Sequence, residues 1–123
     1  MLTSIAFGLA ILLNLALCAI GVRFFVAPRA AAAGYGVVAN EHGDSAYLTI
    51  KAVRDTTFGI LGLTLLAFSG ARAAGLFMLV GALVPLADTA IVLRHGGRRA
   101  IAFGVHFATA VALLVDAGLL LSI

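Results

Sequence analysis

Charged and titratable side chains occur inside otherwise apolar segments, and they are the residues of this sequence best suited to chemistry. Asp88, His106 and Asp55 supply two carboxylates and an imidazole, the groups that most often accept and donate protons in general acid–base catalysis. An ionisable side chain within an apolar segment is costly, so each one indicates a ligand, an ion pair or a wet cavity. We therefore predict Asp88, His106 and Asp55 as catalytic residues.

A second set of side chains is suited to holding a ligand rather than moving protons. Lys51 and Arg54 are cations that can bind an anionic or oxygen-rich group. Tyr47 and His95 are expected at the rim of the same site, and Arg23 lies near the same level on the first apolar segment. The predicted ligand-binding residues are Arg54, Lys51, Tyr47, His95 and Arg23.

Helical spacing brings these residues to common faces and a common depth. One helix presents four of the polar residues within an arc of about 100°: Tyr47, Lys51, Arg54 and Asp55. Asp88 and His95 are seven residues apart on another helix, so they lie nearly on one line. With a rise of about 1.5 Å per residue, the charges of three helices lie roughly 7–14 Å inward from the same membrane face. A shared pocket is favoured, because each lipid-facing charge would cost at least about 2.5–3.5 kcal/mol.

The composition indicates an integral membrane protein. Of the 123 residues, 63% are hydrophobic and only 11% are charged, whereas soluble domains have about 45–50% and about 25%. A disordered chain and an ordinary water-soluble enzyme are excluded on this ground. The net charge of +3 rests on few basic residues, so it reads as a topology signal, and no nucleic-acid partner is expected.

Four apolar segments are each long enough to cross a bilayer, which takes about 20 helical residues. They run over residues 2–26, 46–68, 71–93 and 99–122. The predicted fold class is therefore all-α, a single domain over residues 1–123 that forms a four-transmembrane-helix bundle. The second and third segments are joined by a tight turn and should be antiparallel neighbours. Residues 27–45 are predicted to form the one long loop.

Basic residues near the segment ends set the expected orientation. Seven of the eight Lys and Arg residues lie on the side of the first and third loops, and Arg72 alone lies on the other side. The positive-inside rule places the seven in the cytoplasm. The chain is therefore expected to be a multi-pass protein of the cell (inner) membrane with both termini outside the cytoplasm.

The remaining polar residues have simpler structural explanations. Asn14 is expected to hydrogen-bond between helices, and Asp116, near the outer end of the fourth segment, is expected to lie at the interface. Pro85, one turn before Asp88, should kink the third helix and free a carbonyl. The histidines lack a zinc-binding spacing and the single Cys18 excludes an internal disulfide, so neither a metal nor a cofactor is expected.

Several motifs occur together along the chain. They are Arg-Phe-Phe-Val-Ala-Pro-Arg at 23–29, Lys51-x-x-Arg54-Asp55, Pro85-Leu86-x-Asp88, and Leu-Arg-His-Gly-Gly at 93–97 followed by His106. In this combination the sequence resembles a family of small four-helix bacterial and fungal membrane proteins catalogued as a domain of unknown function. The resemblance covers nearly the whole chain and implies the four-helix membrane architecture. It supplies no substrate, reaction or catalytic residue.

Three functions of different classes are compatible with these residues. We favour binding or acid–base conversion (isomerisation, cyclisation or hydrolysis) of a lipophilic small molecule in a polar pocket in the cytoplasmic half of the bundle. The sequence leaves open whether the chain is an enzyme. Expected partners are membrane lipids and that small molecule, with a homo-oligomer left open.

The first alternative is a structural or accessory subunit. Its charges would be ion pairs, Arg54 with Asp88 or Lys51 with Asp55, and the cations of Lys51 and Arg23 would reach the headgroups. The second alternative is a proton-coupled small transporter. It is disfavoured because small exporters of similar size use a glutamate in the first helix, where this chain has only Asn14.

Overall fold

The protein is helical throughout its regular elements in the computed structural model, which describes residues 1–40 and 42–123. No strand occurs among these residues, and the predicted all-α class is confirmed. The helices are α1 (Leu2–Val26), α2 (Pro28–Tyr35), α3 (Ser45–Phe68), α4 (Gly70–Gly81), α5 (Leu83–Arg94), α6 (Arg99–Ile101) and α7 (Ala108–Leu121). A π-helical segment, Ala102–Phe107, joins α6 to α7.

Among residues 1–40 and 42–123, three stretches of helix are long and apolar enough to cross a membrane. They are Leu2–Val26, Gly70–Arg94 and Arg99–Leu121, with 25, 25 and 23 residues. The second segment of the sequence corresponds to α3, which has 24 residues but carries three charges, and it is not among the three. The structure thus supports a membrane protein with three candidate spans, and α3 differs from them in having three charges within five residues, Lys51, Arg54 and Asp55.

A proline divides the third apolar segment into two helices. α4 ends at Gly81 and α5 begins at Leu83, with Ala82 between them. Pro85 has no N–H and cannot donate to the carbonyl of Gly81, four residues earlier. The break therefore lies one turn before Pro85, and the second of the two helices carries Asp88.

Small residues let α1 and α3 pack closely. A Cβ on Gly21 would lie 2.6 Å from the Thr56 nitrogen, and one on Gly62 would lie 1.8 Å from Asn14 Oδ1. The contacts move toward the start of α1 as they move toward the end of α3, so the two helices are antiparallel. Close approach at glycine and alanine is the usual way in which helices pack in membranes. The largest buried cluster is accordingly rich in alanine: Ala6, Ala10, Leu66, Ala74, Met78, Ala117 and Leu120.

The short helix α2 lies within the stretch predicted as a loop. Pro28 starts it, at a position where a fixed φ and a missing N–H are tolerated. Gly36 ends it with φ of 101°, a left-handed conformation that favours glycine. The helix packs in a second buried cluster with Phe24, Ala31, Ala32 and Ala52. Its last residue, Tyr35, is thereby held against α1 and α3.

Candidate functional site

Tyr35, at the C-terminal end of α2, is the residue around which the polar side chains meet. Its hydroxyl donates a hydrogen bond to Asp88 Oδ2 on α5. Its ring centroid lies 4.2 Å from that of His106, and its backbone carbonyl oxygen lies 2.6 Å from His106 Nε2. One residue therefore joins α2 both to α5 and to the π-helical segment.

His106 is held in place by the end of α2. The last carbonyls of a helix have no partner within that helix, and the buried His106, 3% exposed, supplies one for Tyr35. A carbonyl oxygen only accepts hydrogen bonds, so Nε2 is assigned the hydrogen. The other ring nitrogen, Nδ1, lies 4.0 Å from Asp88 Oδ2. Nδ1 is thus the atom of this ring that can take up a proton, and it faces the carboxylate.

Lys51 approaches Tyr35 from α3. Its Nζ lies 2.9 Å from Asp55 Oδ2, one turn further along the same helix. The same Nζ lies 4.3 Å from the ring centroid of Tyr35 and 5.0 Å from that of Phe24, within the roughly 6 Å over which a ring face attracts a cation. The ion pair between Lys51 and Asp55, which the sequence offered as a structural alternative, is therefore present and packs on the aromatic pair.

An open pocket of about 310 Å³ adjoins this cluster. Asp88, Lys51 and Tyr35 line it, together with Tyr47 and Asp44. The rest of the lining is apolar: Phe24, Ala32, Val37, Val38, Ala39 and Leu48. The volume lies at the lower end of the roughly 300–1,000 Å³ that is usual for small-molecule sites. An apolar surface and titratable groups thus share one cavity.

The hydroxyl of Tyr35 is held in its neutral form, in which it donates a hydrogen bond to Asp88. Burial, followed by the negative charge of Asp88 and its hydrogen bond, raises the pKa of the Tyr35 phenol above its ordinary value. Both effects disfavour the phenolate, which is the charged form. Tyr35 therefore keeps its O–H at neutral pH, next to a carboxylate and an imidazole that can accept protons. The arrangement is suited to proton transfer at the wall of the pocket.

Three predicted ligand-binding residues are not brought to this pocket. Arg54 is exposed and lines a separate groove of α3. His95 is exposed beyond the end of α5, with its Nδ1 2.9 Å from the Ile91 oxygen. Arg23 is exposed and lies along α2, its Nη1 3.4 Å from the position of a Cβ on Gly34. Depth along a helix places these residues near the site level, but their directions around the helices differ.

The structure does bring together five of the predicted site residues. Asp88, Lys51 and Tyr47 line the pocket, and His106 lies next to Asp88. Asp55 reaches the pocket only through its ion pair with Lys51. Within residues 1–40 and 42–123, no three His, Cys, Asp or Glu side chains are grouped so that they could hold a metal ion.

The depth of Asp116 at a membrane interface stays a prediction, and the residue is buried within the protein. It is 0% exposed, and among the described residues neither carboxylate oxygen has a hydrogen-bond partner. The reason is that α7 packs on α4 as far as its last turn, where the side chain of Leu120 approaches Gly75. Asp116 therefore lies one turn inside this interface rather than at its edge. Asn14 meets expectation more nearly, with its Nδ2 3.7 Å from Met78 Sδ on α4.

Two residues of the site, Tyr35 and Phe24, are missed by reasoning from the sequence. A usable signal was present: Pro28 and Gly36 bracket eight residues, the spacing of a short helix that starts at proline and ends before glycine. Tyr35 is the one aromatic residue of that helix. A polar aromatic residue at the end of such a helix was therefore a candidate.

The residues of the cluster lie in a part of the chain that matches a known sequence family. The sequence profile described as "Domain of unknown function (DUF4267)" matches residues 14–120, the greater part of the chain. The chain belongs to the DUF4267 family. The resemblance inferred from the motifs is thereby confirmed, and the matched range includes Tyr35, Lys51, Asp88 and His106. No curated protein and no solved structure matches the chain.

Membership of DUF4267 assigns no reaction to these residues. Their chemistry follows from the geometry alone: a phenol that donates, a carboxylate and an imidazole nitrogen that accept, and an apolar pocket beside them.

Proposed function

We propose that this DUF4267 protein is a multi-pass membrane protein that binds a lipophilic small molecule and transfers protons to or from it. The proposal rests on one observation: the pocket beside Asp88 combines an apolar lining with the Tyr35–Asp88–His106 cluster. A pocket of this kind binds the hydrocarbon part of a ligand and orients its reacting part by a few polar groups.

In the proposed membrane arrangement α3 is a fourth crossing. Its 24 residues correspond to about 36 Å, longer than the roughly 30 Å hydrocarbon core. It packs antiparallel to α1, which is itself a candidate span. Lys51 and Asp55 neutralise each other at 2.9 Å, which lowers the cost of placing them below the headgroups. The distribution of Lys and Arg then puts both termini outside and the pocket in the cytoplasmic half.

In the proposed reaction, Asp88 is the proton acceptor. Its carboxylate lines the pocket, and His106 Nδ1 lies 4.0 Å behind it, placed to take the proton on once the side chains close that distance. His106, or Asp88 itself, then returns the proton to another atom of the ligand, while Tyr35 stays neutral and holds Asp88 through its O–H hydrogen bond. Proton abstraction at one atom and donation at another is the chemistry of an isomerase, cyclase or hydrolase of the acid–base type.

The test compares wild type with Asp88→Asn and His106→Gln in lipid nanodiscs. We expect a lipophilic compound, identified by mass spectrometry of an organic extract, to accompany wild type and to be lost from both variants while each remains folded. His95→Gln is the matched control, because it makes the same change at an exposed histidine outside the pocket; it should retain the compound.

A structural subunit is the second candidate, favoured by the ion pair and by the bond between His106 and the Tyr35 carbonyl, which connect the helices without a ligand. It expects the opposite result. No compound would accompany wild type, and Asp88→Asn and His106→Gln would lower the unfolding midpoint while His95→Gln would not. That outcome would replace the proposed function by the structural one.

A further inference from the structure

The charge of the pocket is the observation from which a ligand class follows. Among the described residues of its lining, three have charged side chains: Asp44, Lys51 and Asp88. Lys51 is already neutralised by Asp55, whose Oδ2 lies 2.9 Å from its Nζ. Two carboxylates are therefore left without a cation in the lining, although the whole chain has a net charge of +3. The pocket is locally acidic in a basic protein.

Among the described residues, the bonds of both carboxylates involve one oxygen and leave the other available to a ligand. The contacts of Asp88 with Tyr35 and with His106 involve Oδ2. Asp44 likewise uses Oδ2, which accepts a hydrogen bond from the Asn40 N–H at 2.6 Å. In each case Oδ1 is not engaged by these bonds. A positively charged group in the pocket would meet two carboxylates whose positions the protein has already set.

Aromatic rings provide a second, independent reason to expect a cation. Phe24, Tyr35 and Tyr47 line the pocket, and ring faces attract alkylammonium groups. The protein itself shows this preference, because the ammonium of Lys51 lies 4.3 Å from one ring centroid and 5.0 Å from another. Tyr47 also lines the pocket and is 72% exposed. The two rings that Lys51 contacts are those of Phe24 and Tyr35, so the Tyr47 ring is a further one for a ligand.

We propose that the ligand of this pocket is a small lipophilic organic cation, an amine or quaternary ammonium with a hydrocarbon substituent. The inference rests on the proposed function, that the pocket binds a lipophilic molecule. This ligand class is the opposite of the one expected from the sequence, in which the cations of Lys51 and Arg54 bind an anionic or oxygen-rich group of the ligand. That expectation relied on Arg54 together with Lys51, and Arg54 lines a different groove while Lys51 is paired.

Three probes with the same ten-carbon chain test the ligand class: decyltrimethylammonium, decan-1-ol and decanoate. Equilibrium binding of each radiolabelled probe is measured on the full chain in phosphatidylcholine nanodiscs, with empty nanodiscs subtracted for lipid partitioning. We expect the cation to bind at least about tenfold more tightly than the alcohol, and decanoate to bind most weakly.

The variants separate charge from shape. Asp88→Asn and Asp44→Asn should each weaken binding of the cation about tenfold and leave decan-1-ol unchanged. Asp44 lies before the start of α3, so its variant remains informative if Asp88→Asn does not fold. Arg54→Gln is the control, because it alters the net charge by one unit outside the pocket; it should leave all three affinities unchanged.

The outcomes distinguish the two proposals. If decan-1-ol or decanoate binds as tightly as the cation, or if the aspartate variants leave cation binding intact, the ligand class is wrong while a lipophilic pocket remains. If none of the three probes binds above the empty nanodiscs, the proposed function falls together with the ligand class.

Discussion

Replacing Gly59 with alanine tests the close packing of α1 on α3 that brings Lys51 to Tyr35. A Cβ at this position would lie 2.4 Å from Cys18 Sγ and 2.7 Å from the Asn14 backbone oxygen. The sulfur can rotate away, but the backbone oxygen cannot. Ordinary contact begins near 3.4 Å, so the two helices must separate by about 0.7 Å in a tightly packed interior.

The cost can be worked from this clash. Overpacking costs about 1–3 kcal/mol, and the better helix propensity of alanine returns about 0.8–1 kcal/mol. We therefore expect Gly59→Ala to lower the free energy of unfolding by about 1 kcal/mol, within a range of about 0–2 kcal/mol. Gly8→Ala is the matched control on α1, because a Cβ there meets nothing within 4 Å; it should cause no loss.

The assay is reversible unfolding by sodium dodecyl sulfate in mixed micelles, followed by circular dichroism of the helices. The midpoint of Gly59→Ala should fall at a lower fraction of dodecyl sulfate than that of wild type, and the midpoint of Gly8→Ala should not. If both variants unfold together with wild type, α1 and α3 do not approach as closely as described, and the argument from the backbone clash is refuted.

Two further predictions concern the cluster. Tyr47→Phe leaves Tyr35 as the single tyrosine in a chain without tryptophan. In this variant, ultraviolet absorbance of the phenolate should appear only well above pH 10.0 while the protein is folded. Adding Asp88→Asn should lower the pH at which the phenolate appears. Because the pKa of Tyr35 is raised on folding, its contribution to stability is complete below pH 10.0 and falls as the pH rises further. Phenolate absorbance that appears near pH 10.0 in the folded protein would contradict this prediction. His106→Leu removes the hydrogen-bond donor to the part-buried Tyr35 carbonyl and should cost about 1–3 kcal/mol in the same micelle assay. The exposed control His95→Leu should change stability by less than about 0.5 kcal/mol. Equal midpoints for the two leucine variants would show that the carbonyl does not depend on the imidazole.

The long helices were predictable because the property that makes them, sustained apolarity, is visible in every residue of the segment. The short helix α2 was not, because eight residues carry too little periodicity to be distinguished from a loop. Its burial depends on Phe24 and Ala52, which belong to other helices. The π-helical segment is hidden for the same reason, since His106 within it bonds to Tyr35, 71 residues away along the chain.

The level of the site residues along their helices was predictable, but the side of each helix on which they face a neighbour was not. Spacing correctly groups Lys51 with Asp55, which are one turn apart and form an ion pair. Arg54 lies at the far edge of the same arc of about 100°, and that arc is wider than the side of α3 that faces α1 and α2. Arg54 therefore points into a separate groove. The direction of each helix toward its neighbours is set by packing at glycines such as Gly21 and Gly62, and a single sequence does not state which partner they face.

The burial of Asp116 has a consequence for how the chain enters a membrane. An aspartate costs about 2.5–3.5 kcal/mol at the centre of an inserting helix and less toward the end, where Asp116 lies, and each Leu, Ile, Phe or Val near the centre returns only about 0.3–0.6 kcal/mol. The segment Arg99–Leu121 also carries Arg99 and His106, so its insertion alone leaves little surplus. Burial against α4, where Leu120 meets Gly75, removes Asp116 from lipid. In the proposed membrane arrangement, the order of synthesis therefore helps the last helix to insert. α1 and α4 are synthesised first and form the surface against which the last helix can leave the translocon.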